Sequence, residues 1–231
     1  MRKMYLSAPL PFVGQKRMLA KEFMKVLEQY PDGTLFVDLF GGSGLLSHIT
    51  KSLKPHSTVI YNDFDNYRFR MKHIPQTNQL LADIREMVGN SVPRHKIIKG
   101  ELRERIFSRI EQEENSTGYV DFITLSSSIL FSMKYKLSVQ DMRKEALYNN
   151  IRKTGYPECT DYLEGLEIVS CDYKEVFNRY KDIPGVVFLV DPPYLSTDVG
   201  TYNMYWNMAD YLDVLNVLKG HSLSLIHISE P

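Results

Sequence analysis

The chain reads as an α/β protein built on a parallel sheet, with a mostly helical insert in its middle. Three observations lead there. Residues 35–63 run strand, glycine-rich turn, helix, strand, acid, which is one βαβ unit. Val186-Val-Phe-Leu-Val190 is five apolar residues in a row, the composition of a central parallel strand covered on both faces. Between them, residues 67–165 lose the alternation of short apolar runs and helical patterns.

In chain order, Leu19, Phe23, Val26, Leu27 and Tyr30 recur at helical spacing, so an amphipathic helix is expected from about Lys16 to Tyr30. Pro31-Asp32-Gly33 stops it. Leu35-Phe-Val-Asp-Leu39 is the first strand, Phe40-Gly-Gly-Ser-Gly44 a turn, and Leu45, Leu46, Ile49 and Leu53 mark the next helix. Thr58-Val-Ile-Tyr61 is the second strand and ends at Asn62-Asp63. In the insert, polar helices are expected over about Gly100–Glu114 and Tyr119–Met133, followed by a mixed stretch to Gly165. Glu167-Ile-Val-Ser170 is the third strand and ends at Cys171-Asp172; Val176, Phe177 and Tyr180 then lie on a helix. Val186–Val190 is the fourth strand, and Met208 to Leu218 a final helix.

The 231 residues, 43% hydrophobic and 24% charged, suit one large α/β domain or a domain carrying an insertion, and exclude a disordered chain. No run approaches the ~18 apolar residues of a membrane helix, and no signal-peptide core follows Met1-Arg-Lys-Met-Tyr5. A cytoplasmic protein with no membrane partner is the expectation. With 28 basic and 28 acidic residues the net charge is zero, so any nucleic acid must be met by a local basic face. The insert carries 16 basic against 13 acidic residues and the remainder 12 against 15, which fits an insert touching a polyanion; solvated helix faces would look the same. Cys159 and Cys171 have no CxxC spacing and the six histidines form no HExxH, so no disulfide framework or metal site is expected.

Asp191-Pro192-Pro193-Tyr194, directly after a buried strand, is the most informative string. Open α/β sheets bind ligands beyond the carboxyl ends of their strands. A carboxylate and the Pro192 carbonyl are two fixed acceptors suited to an exocyclic amino group, and Tyr194 offers a flat face for stacking a base. The prolines stiffen the loop and leave no competing N–H. The turn Phe40-Gly41-Gly42-Ser43-Gly44 is neither GxGxxG nor a phosphate-binding loop. Its glycines still let a ligand approach backbone at a helix N-terminus. Asp38 could accept from a ligand ammonium. Asp63 falls about 20 residues after the glycine loop, where an acid bonds ribose hydroxyls in nucleoside-binding βαβ units. Asp65 competes with it, and either could instead be a helix N-cap. With Asp172, four strand-terminal acids (Asp38, Asp63, Asp172, Asp191) would gather on one sheet edge.

The assembled pattern resembles the S-adenosylmethionine-dependent amino methyltransferases that act on DNA, specifically the adenine-N6 enzymes of the Dam type. Pro11-Phe-Val-Gly-Gln-Lys16 resembles that family's N-terminal motif, Val37–Gly44 its methionine-binding loop, Tyr61-Asn-Asp-Phe64 its ribose-binding turn and Leu189–Tyr194 its catalytic motif. Tyr202, Tyr205-Trp206 and Asp210-Tyr-Leu212 are similar to the residues downstream of that motif in these enzymes. The likeness covers about residues 5–66 and 166–219, a catalytic domain of 1–66 with 166–222, interrupted by a target-recognition region over 67–165. It implies a Rossmann-like methyltransferase sheet, S-adenosylmethionine as cofactor and double-stranded DNA as partner. It places Phe12, Gly14, Lys16, Asp38, Phe40, Gly41, Gly42 and Gly44 around the cofactor, with Lys16 and Asp38 at its methionyl end, Asp63 at its ribose and Asp172 at its adenine. Asp191, Pro192, Pro193 and Tyr194 would serve the target base. Gln15 stands where a second glycine is common, and the Phe131–Gln140 stretch lacks the family's Asn-Gly-Leu-Tyr-Arg-Val-Asn-like string, so no GATC target is read from it.

Two rival functions stay open at this point. One is the same chemistry on cytosine N4, or on an amine in RNA or protein; cytosine-N4 enzymes more often carry Ser-Pro-Pro-Tyr, so Asp191 favours adenine, and a catalytically inactive DNA-binding fragment is the other. A cytosine-C5 enzyme would need a nucleophilic cysteine, and neither Cys159 nor Cys171 is well placed. Finally, Leu223-Ser-Leu-Ile-His-Ile-Ser-Glu-Pro231 resembles a translated sequencing-library adapter more than a native period-two strand. The expectation is therefore a C-terminally truncated chain, native to about Ser222, whose sheet of family order 3-2-1-4-5-7-6 lacks strands 5, 6 and 7. Val186–Val190 would then be an edge, or pair only with the tail.

Overall fold

The computed structural model describes residues 3–131, 134–192, 208–219 and 224–227. In chain order its elements are α1 (Ala20–Glu28), β1 (Phe36–Asp38), α2 (Leu45–Leu53), β2 (Val59–Asn62), α3 (Tyr67–Lys72), α4 (Ile74–Val88), β3 (Ile97–Ile98), α5 (Gly100–Thr117), α6 (Phe122–Ile129), α7 (Val139–Arg143), β4 (Leu147–Tyr148), β5 (Glu167–Val169), α8 (Tyr173–Tyr180), β6 (Val187–Val190), α9 (Met208–Leu218) and β7 (Ser224–His227). The chain divides into two compact units. One holds Met1–Ala8, Phe12–Arg68 and Cys159–Pro231, the other Pro9–Pro11 and Phe69–Glu158.

The first unit is built on a five-stranded sheet of order β5-β2-β1-β6-β7, parallel throughout. Successive strand residues face opposite sides. Phe36, Val59, Val187 and Leu189 therefore meet Ala20, Phe23 and Leu27 of α1 and Leu45, Leu46 and Ile49 of α2. Val37, Ile60, Phe188 and Val190 meet Val176 and Phe177 of α8 and Val214 of α9 on the other side. Helices on both faces explain why β1, β2 and β6 are apolar without alternation and buried at every position. The Phe177 and Phe188 rings pack 5.0 Å apart in that second layer, where truncating a phenylalanine to alanine costs about 3–5 kcal/mol.

The order β5-β2-β1-β6 is the 3-2-1-4 expected of these strands. On its far side β6 pairs in parallel with β7, in register from Val187 opposite Ser224 to Val190 opposite His227. This is the pairing with the tail that was expected for Val186–Val190.

Helix boundaries depart from the sequence periodicity where a side chain or a turn has another partner. α1 begins at Ala20 rather than near Lys16, because Lys16 is drawn into a turn by the Gly14 carbonyl and by Asp191. α6 is shorter than the expected Tyr119–Met133: Asp121 caps it, accepting from the Thr124 N–H, and Phe122 is its first residue. α5 runs to Thr117, with Gly118 left-handed after it.

In the second unit the sequence reading passes over α4, which buries Ile74, Leu80, Leu81, Ile84 and Val88, and the short antiparallel pair β3–β4. Arg70 and Asp121 form a buried ion pair there (Nε to Oδ1, 3.1 Å), and Arg70 also donates to Thr124 Oγ1 and the Pro11 carbonyl. Arg103 and Arg143 lie over the buried Phe107 ring at 4.6 and 4.5 Å. Among the described residues no helix is long and apolar enough to cross a membrane.

Candidate active site

Because all five strands run the same way, their carboxyl ends share one edge. Asp38 closes β1, Asn62 and Asp63 close β2, Cys171 and Asp172 follow β5, and Asp191 follows β6. Asn62 holds three of these ends together. Its Nδ2 donates to the carbonyls of Leu39 (3.0 Å) and Cys171 (2.9 Å), and its Oδ1 accepts from the Cys171 N–H (3.2 Å). Beyond them opens a cleft that faces solvent on one side. Phe12, Phe40, Phe64 and Tyr173 supply aromatic wall, with the Phe40 and Tyr173 rings 4.9 Å apart.

The glycine turn forms one side. Gly44 is left-handed at the start of α2, and its N–H closes the turn on the Gly41 carbonyl at 2.7 Å. Gly41 lies against the Tyr61 ring so closely that a Cβ would come within 2.3 Å of two ring carbons and 2.7 Å of the Asn62 carbonyl oxygen. The Tyr61 hydroxyl donates to the Gly42 carbonyl (2.8 Å), and that of Tyr162 to the Ser43 carbonyl (3.1 Å).

Three charged groups meet at this edge. Asp38 is 1% exposed; its Oδ2 accepts from Ser47 Oγ at 2.7 Å, and its Oδ1 is buried with no hydrogen-bond partner among the described residues. Burial pushes its carboxyl up to about 7; the Ser47 hydroxyl and the Phe40 N–H oppose this and the negative charge of Asp191 adds to it. Lys16, 4% exposed, sits 3.1 Å from Asp191 Oδ1 and donates to the Gly14 carbonyl at 2.9 Å. Lys16 and Asp191, assigned to different ligands by the sequence reading, are thus partners of each other.

The acids of β2 and β5 divide differently. Asp63 is buried and accepts from the N–H groups of Tyr67 (2.6 Å) and Arg68 (3.0 Å), so it caps the start of α3, and its Oδ1 shares the Tyr61 hydroxyl proton (3.0 Å) with the Gly42 carbonyl. Burial still raises its carboxyl above the usual range, with those hydrogen bonds opposing. The acid on the cleft wall at this point is Asp65, the close competitor. Asp172 caps α8, accepting from the Lys174 N–H at 2.8 Å, and also lines the cleft. Of the remaining expected site residues, Phe12, Gly14, Lys16, Phe40, Gly41, Gly42, Asp191 and Pro192 line the cleft, while Asp38 and Gly44 lie outside its lining. Pro193 and Tyr194 lie outside the described residues. Tyr162, which no motif marks, and the bridging role of Asn62 inside the Tyr61–Phe64 motif were not anticipated. Among the described residues no cluster of His, Cys, Asp and Glu could hold a metal ion.

A family model described as "D12 class N6 adenine-specific DNA methyltransferase" matches residues 12–214, from the loop at Phe12 to α9. The chain belongs to the D12 class of N6 adenine-specific DNA methyltransferases. The methyltransferase is also 38% identical over 224 residues to a Haemophilus influenzae protein named "Putative methyltransferase", a match covering 94% of this chain and 75% of that protein. Family membership decides for adenine N6 over cytosine N4, the choice to which an aspartate at 191 pointed.

Proposed function

We propose that this enzyme methylates N6 of adenine at a specific site in double-stranded DNA, with S-adenosylmethionine as the donor. The observation that carries the reading is the junction in one cleft of the glycine turn at a helix N-terminus with Asp191-Pro192 at the end of a buried strand. The buried Oδ1 of Asp38 fits a ligand ammonium, and Gly41 and Gly42 of the turn line the same cleft as Asp191 and Pro192. When bound, the cofactor supplies an electrophilic methyl group on a sulfonium.

Asp38 would then accept from the cofactor's ammonium, and Lys16 would hold its carboxylate. The Phe12–Lys16 loop and Phe40, Gly41, Gly42 and Gly44 would shape the cofactor site. Asp172 would serve the adenine end. For the ribose, Asp65 on the wall is better disposed than Asp63, whose oxygens already serve three donors. The target adenine, extruded from the duplex, would stack on Tyr194. Its amino group would donate to the Asp191 carboxylate and the Pro192 carbonyl, which draw the nitrogen lone pair out of conjugation with the ring. The chain's contribution is alignment and electrostatics, with no covalent enzyme intermediate. The insert over 67–165 would read the target sequence. Incubation with duplex DNA and S-adenosylmethionine, then nucleoside mass spectrometry, should find N6-methyladenine confined to one sequence context. Methyl on cytosine N4, or none, would overturn the reading.

A further inference from the structure

Two fully buried phenols support the glycine turn. Tyr61, on β2, packs its ring against Gly41, and its one hydroxyl proton is shared between the Gly42 carbonyl at 2.8 Å, the shorter contact, and Asp63 Oδ1 at 3.0 Å. Tyr162, separated from the turn by 119 residues, puts its hydroxyl on the next carbonyl, that of Ser43. Tyr162 is itself fixed. Its ring stacks on buried His48 (4.7 Å, 15°), and its carbonyl lies 2.7 Å from His48 Nδ1. His48 Nε2 is 2.9 Å from the Tyr5 N–H. A carbonyl can only accept and an amide N–H only donate, so His48 is the neutral tautomer with its proton on Nδ1. Tyr5 in turn donates its hydroxyl to Asp161 at 2.8 Å, one residue before Tyr162.

The geometry has a directional consequence. A trans peptide sets its C=O and N–H on opposite sides. A hydroxyl that fixes the Gly42 carbonyl on the Tyr61 side turns the Ser43 N–H the other way, and Gly42 and Ser43 both line the cleft. Fixing the Ser43 carbonyl on Tyr162 likewise orients the Gly44 N–H, which closes the turn on Gly41. Phenylalanine would fill the same volume without setting either peptide plane.

We infer that Tyr61 and Tyr162 are positioning residues: their hydroxyls orient the backbone of the glycine turn for the cofactor. The inference rests on the cofactor reading above. Its test is Tyr162→Phe and Tyr61→Phe, which keep the rings and remove the hydroxyls. Calorimetry would follow binding of S-adenosylhomocysteine, steady-state kinetics would follow S-adenosylmethionine and DNA, and thermal melting would follow the fold. Each variant should bind S-adenosylhomocysteine about tenfold more weakly and raise KM for S-adenosylmethionine by a similar factor, with kcat within about twofold and KM for DNA unchanged. Wild-type affinity in both variants would overturn the proposal. So would failure of both to fold, because the hydroxyls would then serve the fold and not the turn. A wild-type protein that binds no S-adenosylhomocysteine would instead sink the cofactor reading itself.

Discussion

Replacing Asp38 by Asn should make the protein more stable at alkaline pH while weakening the proposed cofactor binding. The carboxyl sits at about 7 in the folded protein against 3.8 in a solvated chain, chiefly because it is buried. A raised folded-state value means that the fold prefers the protonated form. The stabilisation from Asp38 is therefore fully present below about pH 4 and is lost as pH rises through about 7. At about 1.36 kcal/mol per pKa unit, ionised Asp38 costs the fold about 4 kcal/mol at pH 8 but only about 2 kcal/mol at pH 5. Asparagine has no such dependence. Its buried amide could cost roughly 1–3 kcal/mol if left without an acceptor, but equally at both pH values. The quantity to measure is thus the change in the stability gap: Asp38→Asn should gain roughly 2–3 kcal/mol on the wild type between pH 5 and pH 8. Guanidinium unfolding of both proteins at each pH gives it directly. A gap that stays constant within about 0.5 kcal/mol would refute the buried, ionisable Asp38.

The same substitution separates stability from function. If Asp38 accepts a ligand ammonium it must be ionised to do so, and wild-type affinity for S-adenosylhomocysteine should fall below pH 7 by about tenfold per pH unit. The Asn variant should bind at least about tenfold more weakly at pH 8 and lose that dependence. A stabilised variant that binds normally would remove Asp38 from the cofactor site.

Three further outcomes are expected of the site. Asp191→Asn should lower kcat at least about 100-fold while S-adenosylhomocysteine affinity, read by calorimetry, changes little; wild-type turnover would sink the proposed base contact. Asp172→Ala should cost about 1 kcal/mol in denaturant unfolding through the lost cap of α8, whereas Asp172→Ser keeps the cap, so a loss of cofactor affinity in the Ser variant isolates the ligand role. Gly41→Ala, whose Cβ would fall 2.3 Å from Tyr61 ring carbons, should destabilise by about 1–3 kcal/mol in thermal melts and weaken cofactor binding; a neutral result would show that the turn can shift freely.

The sheet and its order were legible because burial on both faces leaves a direct trace in composition: Phe36-Val37 and Val186–Val190 have no room for polar residues. The site was legible as a place, since parallel strands must gather Asp38, Asp63, Asp172 and Asp191 at one edge. The hidden features depend on contacts distant in sequence. Tyr162 reaches the turn across 119 residues, and Asn62 reaches Cys171 across 109, with no local pattern to announce either. Lys16 continued a helical periodicity that the fold breaks in favour of an ion pair with Asp191. Helix α4 was passed over because its apolar positions, Ile74, Leu80, Leu81, Ile84 and Val88, are diluted by polar residues and by Pro75 in its first turn.

A strand-terminal acid has two ordinary uses, capping the next helix or holding a ligand, and sequence cannot separate them because the same residue at the same place serves both. Hydrogen-bond capacity separates them. Asp63 has its oxygens engaged by three donors of its own chain, and little is left for a ligand. Asp172 gives one oxygen to the Lys174 N–H and still lines the cleft, so it can act in both ways. Asp38 is less committed than Asp63: one oxygen takes the Ser47 hydroxyl, the Phe40 N–H steadies the carboxylate, and Oδ1 is buried with no close hydrogen-bond partner among the described residues. An unmet buried acceptor costs the fold roughly 1–3 kcal/mol and persists only where something else requires it. The methionyl ammonium proposed above would bring a donor to that oxygen.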